Sequence, residues 1–185
     1  NLLVLGNNRV ELRNVVVGEV WIASGQSNMQ WPLRQSANWQ VAAAAAANPN
    51  LRLFYVPRVK SPAPVADIQG QYNNAKPQWT VASPETTPDF SAVAYFFGRD
   101  LQAARGVPVG IIHTSWGGSP AEVWMSERVL AGNPGYKKDI LDTYAVAMKN
   151  FETAKSRFPE QLAKAKQAGA KVLPQAPREP WRPTE

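Results

Sequence analysis

Apolar residues fall into short aliphatic or β-branched runs, separated by polar turns and by stretches with helical spacing. Leu2-Leu3-Val4-Leu5, a Gly6-Asn7-Asn8 turn and Val10-Glu11-Leu12 predict a hairpin within residues 1–14. An isolated hairpin is marginal in water, so this segment reads as the end of an upstream β-domain or as a linking hairpin. The first core strand is expected at 15–23, where a Val-rich run stops at Ser24-Gly25. Residues 31–47 predict a helix, with Pro32 in its first turn and an alanine run at 42–47. Asn48-Pro49-Asn50 should end it, and 51–56 is the next strand.

Residues 57–89 are rich in proline and polar groups without periodicity, which predicts a long surface loop. Such a loop can wall a pocket, with Trp79 and Phe90 as aromatics for a sugar, or its residues can simply pin it to the body. Helix 91–105 carries apolar residues at 93, 96, 97, 101 and 104, Gly106 stops it, and a strand follows at 107–114. Strand, helix, strand, helix, strand is the pattern of a parallel sheet flanked by helices. Farther on, Ile140, Tyr144, Ala147, Met148, Phe151 and Ala154 form an amphipathic stripe, expected to pack in a core. Phe158-Pro159 should break that helix and start another, so that a helical segment spans 136–171. Residues 174–185 are a proline-rich linker.

Composition narrows the class. The 185 residues suit one domain, and no apolar run approaches the ~20 residues that span a bilayer. Without cysteine there is no disulfide framework, thiolate metal site or cysteine nucleophile. A net charge of +6 raises nucleic acid as a partner, but the basic residues are dispersed and interleaved with acids, which excludes a concentrated binding stripe. Asp67, Glu85 and Asp89 are scattered and His113 is the only histidine, so no metal site is expected. Trp-Gly-Gly-Ser lacks the spacing of a dinucleotide or phosphate loop, and no cofactor is expected.

The candidate chemistry lies at Gly25-Gln26-Ser27-Asn28-Met29, directly after the first strand. In an open α/β sheet ligands bind at the C-terminal edge of the strands. A serine there, with its own N–H and a helix start behind it, can attack a carbonyl and help hold the oxyanion; it can equally just cap the next helix. Gly117-Gly118 ends the strand at 107–114, and without a Cβ either glycine lets a backbone N–H approach a substrate. The alternative for that pair is an ordinary turn. His113 lies in an apolar strand in the phase of a core residue, which favours a structural imidazole over a base.

Three stretches carry a family resemblance. Gly18-Glu19-Val20-Trp21-Ile22-Ala23-Ser24-Gly25-Gln26-Ser27-Asn28-Met29 resembles the first block of the sialate O-acetylesterase-like branch of the SGNH hydrolases. The stretch 107–124, with Trp116-Gly117-Gly118-Ser119 and then Glu122-Val123-Trp124, is similar to the second block, and 90–99 to the helix between them. The resemblance covers about residues 10–130 and implies an SGNH-hydrolase (flavodoxin-like) three-layer α/β/α fold with a parallel sheet. Residues 15–173 would be the N-terminal part of that domain, incomplete in this chain.

The resemblance further implies a carbohydrate acetylesterase with Ser27 as nucleophile. Ser27 and Gly117 or Gly118 would be the oxyanion donors, and Gln26, Asn28, Trp116, Glu122 and Trp124 would shape the substrate site. The substrate would be an O-acetylated sugar: sialic acid, or a plant polysaccharide such as xylan or xyloglucan. A secreted or periplasmic bacterial protein fits either. The family's catalytic histidine, the aspartate before it and a Gln-Gly-Glu-Ser-Asn-like block find no match after Trp124. The expectation is that they belong to the remainder of the catalytic domain, downstream or on a second chain. The contrasting reading is a non-catalytic carbohydrate-binding relative that kept the pocket and lost the base.

Overall fold

The computed structural model describes residues 1–61, 65–72 and 76–183. They divide into two compact units, Asn1–Ser119 and Pro120–Glu185.

In the first unit, β1 (Leu2–Leu5) and β2 (Arg9–Leu12) form the expected hairpin as a separate antiparallel pair. The main sheet contains β3 (Glu19–Gly25), β4 (Asn48–Tyr55), β5 (Thr80–Ala82) and β6 (Val109–Ser115), in the order β3-β6-β4-β5. β6 lies parallel between β3 and β4, and β5 adds antiparallel to β4. The apolar runs Val20-Trp21-Ile22-Ala23 in β3 and Val109-Gly110-Ile111-Ile112 in β6 suit a parallel sheet. Register pairs Gly25 with Ser115 and Tyr55 with His113, so the C-terminal ends of the three parallel strands meet at one edge.

Short helices α1 (Ser27–Gln30) and α2 (Trp39–Ala44) follow β3, and α3 (Ala92–Arg105) precedes β6. The Ser91 hydroxyl caps α3 by accepting from the Ala94 N–H at 3.2 Å, and Gly106 ends the helix in the left-handed region, at φ +67°. Gly98 brings α3 close to the sheet, since a Cβ there would stand 2.7 Å from Ile111 and 3.1 Å from Leu51. Leu51, Leu53, Val109, Ile111, Ala94 and Tyr95 form the core between helix and sheet. On the opposite face Trp79 lies over Gly110 and packs against Phe54, with ring centroids 5.3 Å apart. The mixed α/β fold with a parallel-rich sheet is therefore as the sequence implies.

Several local expectations are corrected. Residues 31–47 are not one helix: a 3-10 turn at Leu33–Gln35 is separated from α2 by Asn38 at φ +56°. Backbone bonds from Leu33 to Phe90 and from Arg34 to Pro88 hold that turn instead, so tertiary pairing overrides alanine propensity. The predicted loop contains β5, too short to register as a pattern. Strand β3 starts at Glu19 rather than at residue 15.

In the second unit, Ala121–Trp124 is a 3-10 turn, followed by α4 (Glu127–Gly132), α5 (Pro134–Tyr136), a π-helical turn (Lys137–Asp142) and α6 (Thr143–Gln167). The Ser126 side chain caps α4 and that of Asn133 caps α5. Helix α6 runs through Pro159 without the expected break. An interior proline forfeits one backbone bond and costs about 3 kcal/mol, but Ala, Lys, Glu and Gln on both sides are strong helix formers. No residue of α6 is buried, so its stripe is not the core face expected. No described helix is long and apolar enough to cross a membrane.

Candidate active site

The site grows out of the strand ends. β3 stops at Gly25, whose φ of +142° is open to glycine and strained for other residues. The chain then turns into α1 with Ser27 as its first residue. Ser27 is exposed, and its hydroxyl donates to Gln26 Oε1 at 2.8 Å.

On the neighbouring strand, β6 runs into Trp116, whose N–H donates to the Gly25 carbonyl at 3.0 Å. The Ser119 N–H returns to the Trp116 carbonyl at 3.1 Å and closes a four-residue turn. Gly117 and Gly118 are its central residues, and φ of +80° at Gly118 is what a type II turn requires at its third position. The Gly117 N–H donates to Gln30 Oε1 at 2.5 Å, which ties the turn to the helix bearing Ser27.

Ser27, Gln30 and Gly117 line one side of a pocket of about 550 Å³. Tyr55, from the end of β4, and Tyr72 face it with stacked rings whose centroids are 3.7 Å apart. The Tyr72 hydroxyl donates to the Asp89 carbonyl at 3.1 Å. The Asp89 carboxylate pairs with Arg34, and Arg58 adds a second positive charge to the wall.

The pocket therefore brings Ser27 and Gly117 together, but not every residue named with them. Gln26 touches Ser27, whereas Asn28, Trp116 and Gly118 are not among the lining residues. Glu122 and Trp124 sit in the 3-10 turn that opens the second unit. Trp79 packs on the sheet face opposite α3, and Phe90 is buried with its ring 5.3 Å from His113, so neither is a sugar platform of this pocket. The aromatics that line it are Trp31, Tyr55 and Tyr72. Tyr55 was discoverable as the last residue of a parallel strand beside the nucleophile's neighbour. Tyr72, Arg34 and Asp89 depend on loop packing and leave no sequence pattern.

His113 is a buried strand residue, in the phase the sequence predicts. It is 1 % exposed, lies between Tyr55 and Phe90, and shares a 2.6 Å hydrogen bond with the Ser115 hydroxyl through Nε2. It does not line the pocket. Burial, reinforced by the positive charge of Arg58 and opposed by the nearby Met29 backbone, lowers its pKa from 6.5 to about 4. In the unfolded chain the imidazole protonates near pH 6.5. The unfolded state thus binds the extra proton first, and the stability that the neutral ring contributes is full above pH 6.5 and declines toward pH 4. That decline amounts to about 3 kcal/mol. Urea unfolding of wild type and His113→Gln between pH 7 and 4 checks this: the variant should lose that part of the slope. An unchanged slope would contradict it.

Among the described residues no group of three or more His, Asp and Glu side chains stands where it could hold a metal ion.

No family model matches the chain. Sialate O-acetylesterase of Rattus norvegicus is 35% identical over 126 residues, which span 67% of this chain and 23% of the relative. The Homo sapiens sialate O-acetylesterase is 32% identical over 130 residues, 67% of this chain and 24% of the relative. The crystal structure of a carbohydrate acetylesterase from Xanthomonas citri superimposes with a TM-score of 0.62 at 40% identity, covering 72% of this chain and 30% of that one. The chain thus spans about a quarter of the length of the curated relatives it matches. In sequence and in fold the chain thus resembles the sialate O-acetylesterase-like carbohydrate acetylesterases.

Proposed function

We propose that this chain carries the nucleophile of a serine esterase that removes O-acetyl groups from a carbohydrate. The observation that carries the reading is that Ser27 and Gly117, from the ends of adjacent parallel strands, line one pocket. The similarity to proteins named sialate O-acetylesterase and carbohydrate acetylesterase supports it.

In this mechanism Ser27 Oγ attacks the acetyl carbonyl as a base removes its proton. The carbonyl oxygen becomes an oxyanion, held by the Ser27 N–H and a backbone N–H of the Gly117-Gly118 turn. The tetrahedral species collapses, the C–O bond to the sugar breaks, and the sugar oxygen takes the proton. Water then hydrolyses acetyl-Ser27 to acetate by the reverse pattern of proton transfers. No step needs a cofactor.

The base is a histidine, oriented by an aspartate, from the remainder of the catalytic domain. Gln26, the partner of the Ser27 hydroxyl here, is an amide and cannot serve. The stacked Tyr55 and Tyr72 offer a flat apolar surface for a sugar ring, while Arg34, Asp89 and Arg58 offer polar contacts to its substituents. Sialic acid and an acetylated xylan or xyloglucan are the substrate classes proposed, with a secreted or periplasmic location.

Acyl length tests the reading. The pocket walls interleave Gln30, Arg34, Gln35 and Asp89 with Trp31, Pro32, Tyr55 and Tyr72, so a long acyl chain finds no continuous apolar groove. In the complete protein kcat/KM should fall at least about a hundredfold from acetyl to octanoyl esters, because the added methylenes would have to desolvate these polar side chains without giving them new partners. Acetate should also be released from an acetylated sugar. Equal rates on octanoyl and acetyl esters would indicate a lipid esterase, and no turnover of any ester would indicate a carbohydrate-binding relative.

A further inference from the structure

We infer that Gln30 is a positioning residue for the oxyanion site: its amide oxygen clamps the Gly117 N–H, and the Gly118 N–H is left to join that of Ser27 on the substrate oxygen. This rests on the esterase reading above and refines its donor assignment.

Three observations carry it. Gln30 ends the same four-residue helix that Ser27 begins, so its side chain is anchored one turn from the nucleophile. Its Oε1 accepts the Gly117 N–H at 2.5 Å, a short bond across 87 residues of sequence and part-buried. A backbone amide has one proton, so an N–H held that closely is not available to a second acceptor at full strength. Finally, the approach is so tight that a Cβ on residue 117 would stand 2.8 Å from Gln30 Oε1 and 3.6 Å from the Ser27 Cα. Glycine at 117 serves this contact.

The requirement at 118 is different. There φ of +80° turns the chain, and a Cβ would meet nothing within 4 Å, so the strain is conformational and the space around it is open. The peptide joining Gly117, which lines the pocket, to Gly118 carries the next N–H along the turn. No hydrogen bond donated by that N–H occurs among the described residues. The clamp on Gly117, together with the Trp116 N–H bond to the Gly25 carbonyl, fixes the distance between this turn and the Ser27 backbone. Two donors that must meet one oxyanion depend on that distance. Displacement by about 1 Å costs up to a hundredfold in rate.

The experiment uses the complete catalytic protein and a small acetyl ester. Gln30→Ala and Gln30→Met, which both remove the acceptor while Met retains the bulk, should each lower kcat about ten- to hundredfold with little change in KM. Gly117→Pro is then added on the Gln30→Ala background. Proline suits the second position of a type II turn, and Gln30→Ala has already removed the side-chain oxygen that would crowd its ring. Because the lost proton had served only the clamp, the double variant should be no slower than Gln30→Ala alone, with a melting temperature that confirms folding.

Wild-type kcat in both Gln30 variants would overturn the inference, as would Gln30→Met behaving like wild type while Gln30→Ala is slow. A further loss of about a hundredfold in the folded double variant would also overturn it, since the Gly117 N–H would then be the oxyanion donor itself. Failure of the esterase reading is separate: it would show as Ser27→Ala retaining turnover.

Discussion

Ser27→Ala in the complete protein should lose at least about a thousandfold in kcat on a small acetyl ester, as removal of a serine nucleophile does when the remaining oxyanion donors and binding contacts stay in place. Its stability should shift by less than about 0.5 kcal/mol. Both halves follow from one position. Ser27 is exposed, and among the described residues its hydroxyl bonds only to the exposed Gln26 beside it and no buried group depends on it. The hydroxyl therefore contributes little to folding and is free to react. Steady-state kinetics with a melting curve on the same preparation checks the pair. An active variant would remove Ser27 from the nucleophile role, and an inactive but unfolded one would make it structural.

The 185-residue chain by itself should show no esterase activity above about a thousandth of the complete protein, because a serine without a base is a poor nucleophile at neutral pH. His113 is its only imidazole. That ring is 1 % exposed, spends Nε2 on Ser115 and lies outside the pocket that Ser27 lines. With a pKa near 4 it is also a weak base, although neutral at pH 7. Adding the remainder of the catalytic domain, in cis or as a second chain, should restore turnover. Activity of the chain alone that vanished in His113→Ala would make His113 the base and refute this account.

What the sequence revealed, and what it hid, follows from the range of each interaction. The strand–Gly-Gln-Ser-Asn segment is local, and so is the Gly-Gly turn after β6; both were legible because a β-branched run ending in glycine has few alternatives. Their adjacency followed from the pattern of alternating strands and helices, and the register agrees with it by pairing Gly25 with Ser115. The burial of His113 was likewise legible from strand phase. Trp79 was left open between pocket wall and anchor to the body, because an aromatic in a proline-rich loop has no periodicity to say which sheet face it covers; it is the anchor. Helix 31–47 was overextended because alanine propensity is weak against the backbone bonds that hold Leu33 and Arg34 to residues 90 and 88. Gln30 stood in plain view three residues after Ser27, but its value lies in a bond across 87 residues that no local pattern encodes.

The central claim is that Ser27 is the residue that takes the acyl group, and trapping tests it most directly. The complete protein is treated with a fluorophosphonate, which leaves a stable phosphonyl ester on an activated serine as fluoride departs, and the adduct is located by peptide mass spectrometry. The account predicts one equivalent of label, on the peptide containing Ser27, with activity lost in proportion. Stoichiometric label on any other residue, or full inactivation with Ser27 unmodified, would contradict it.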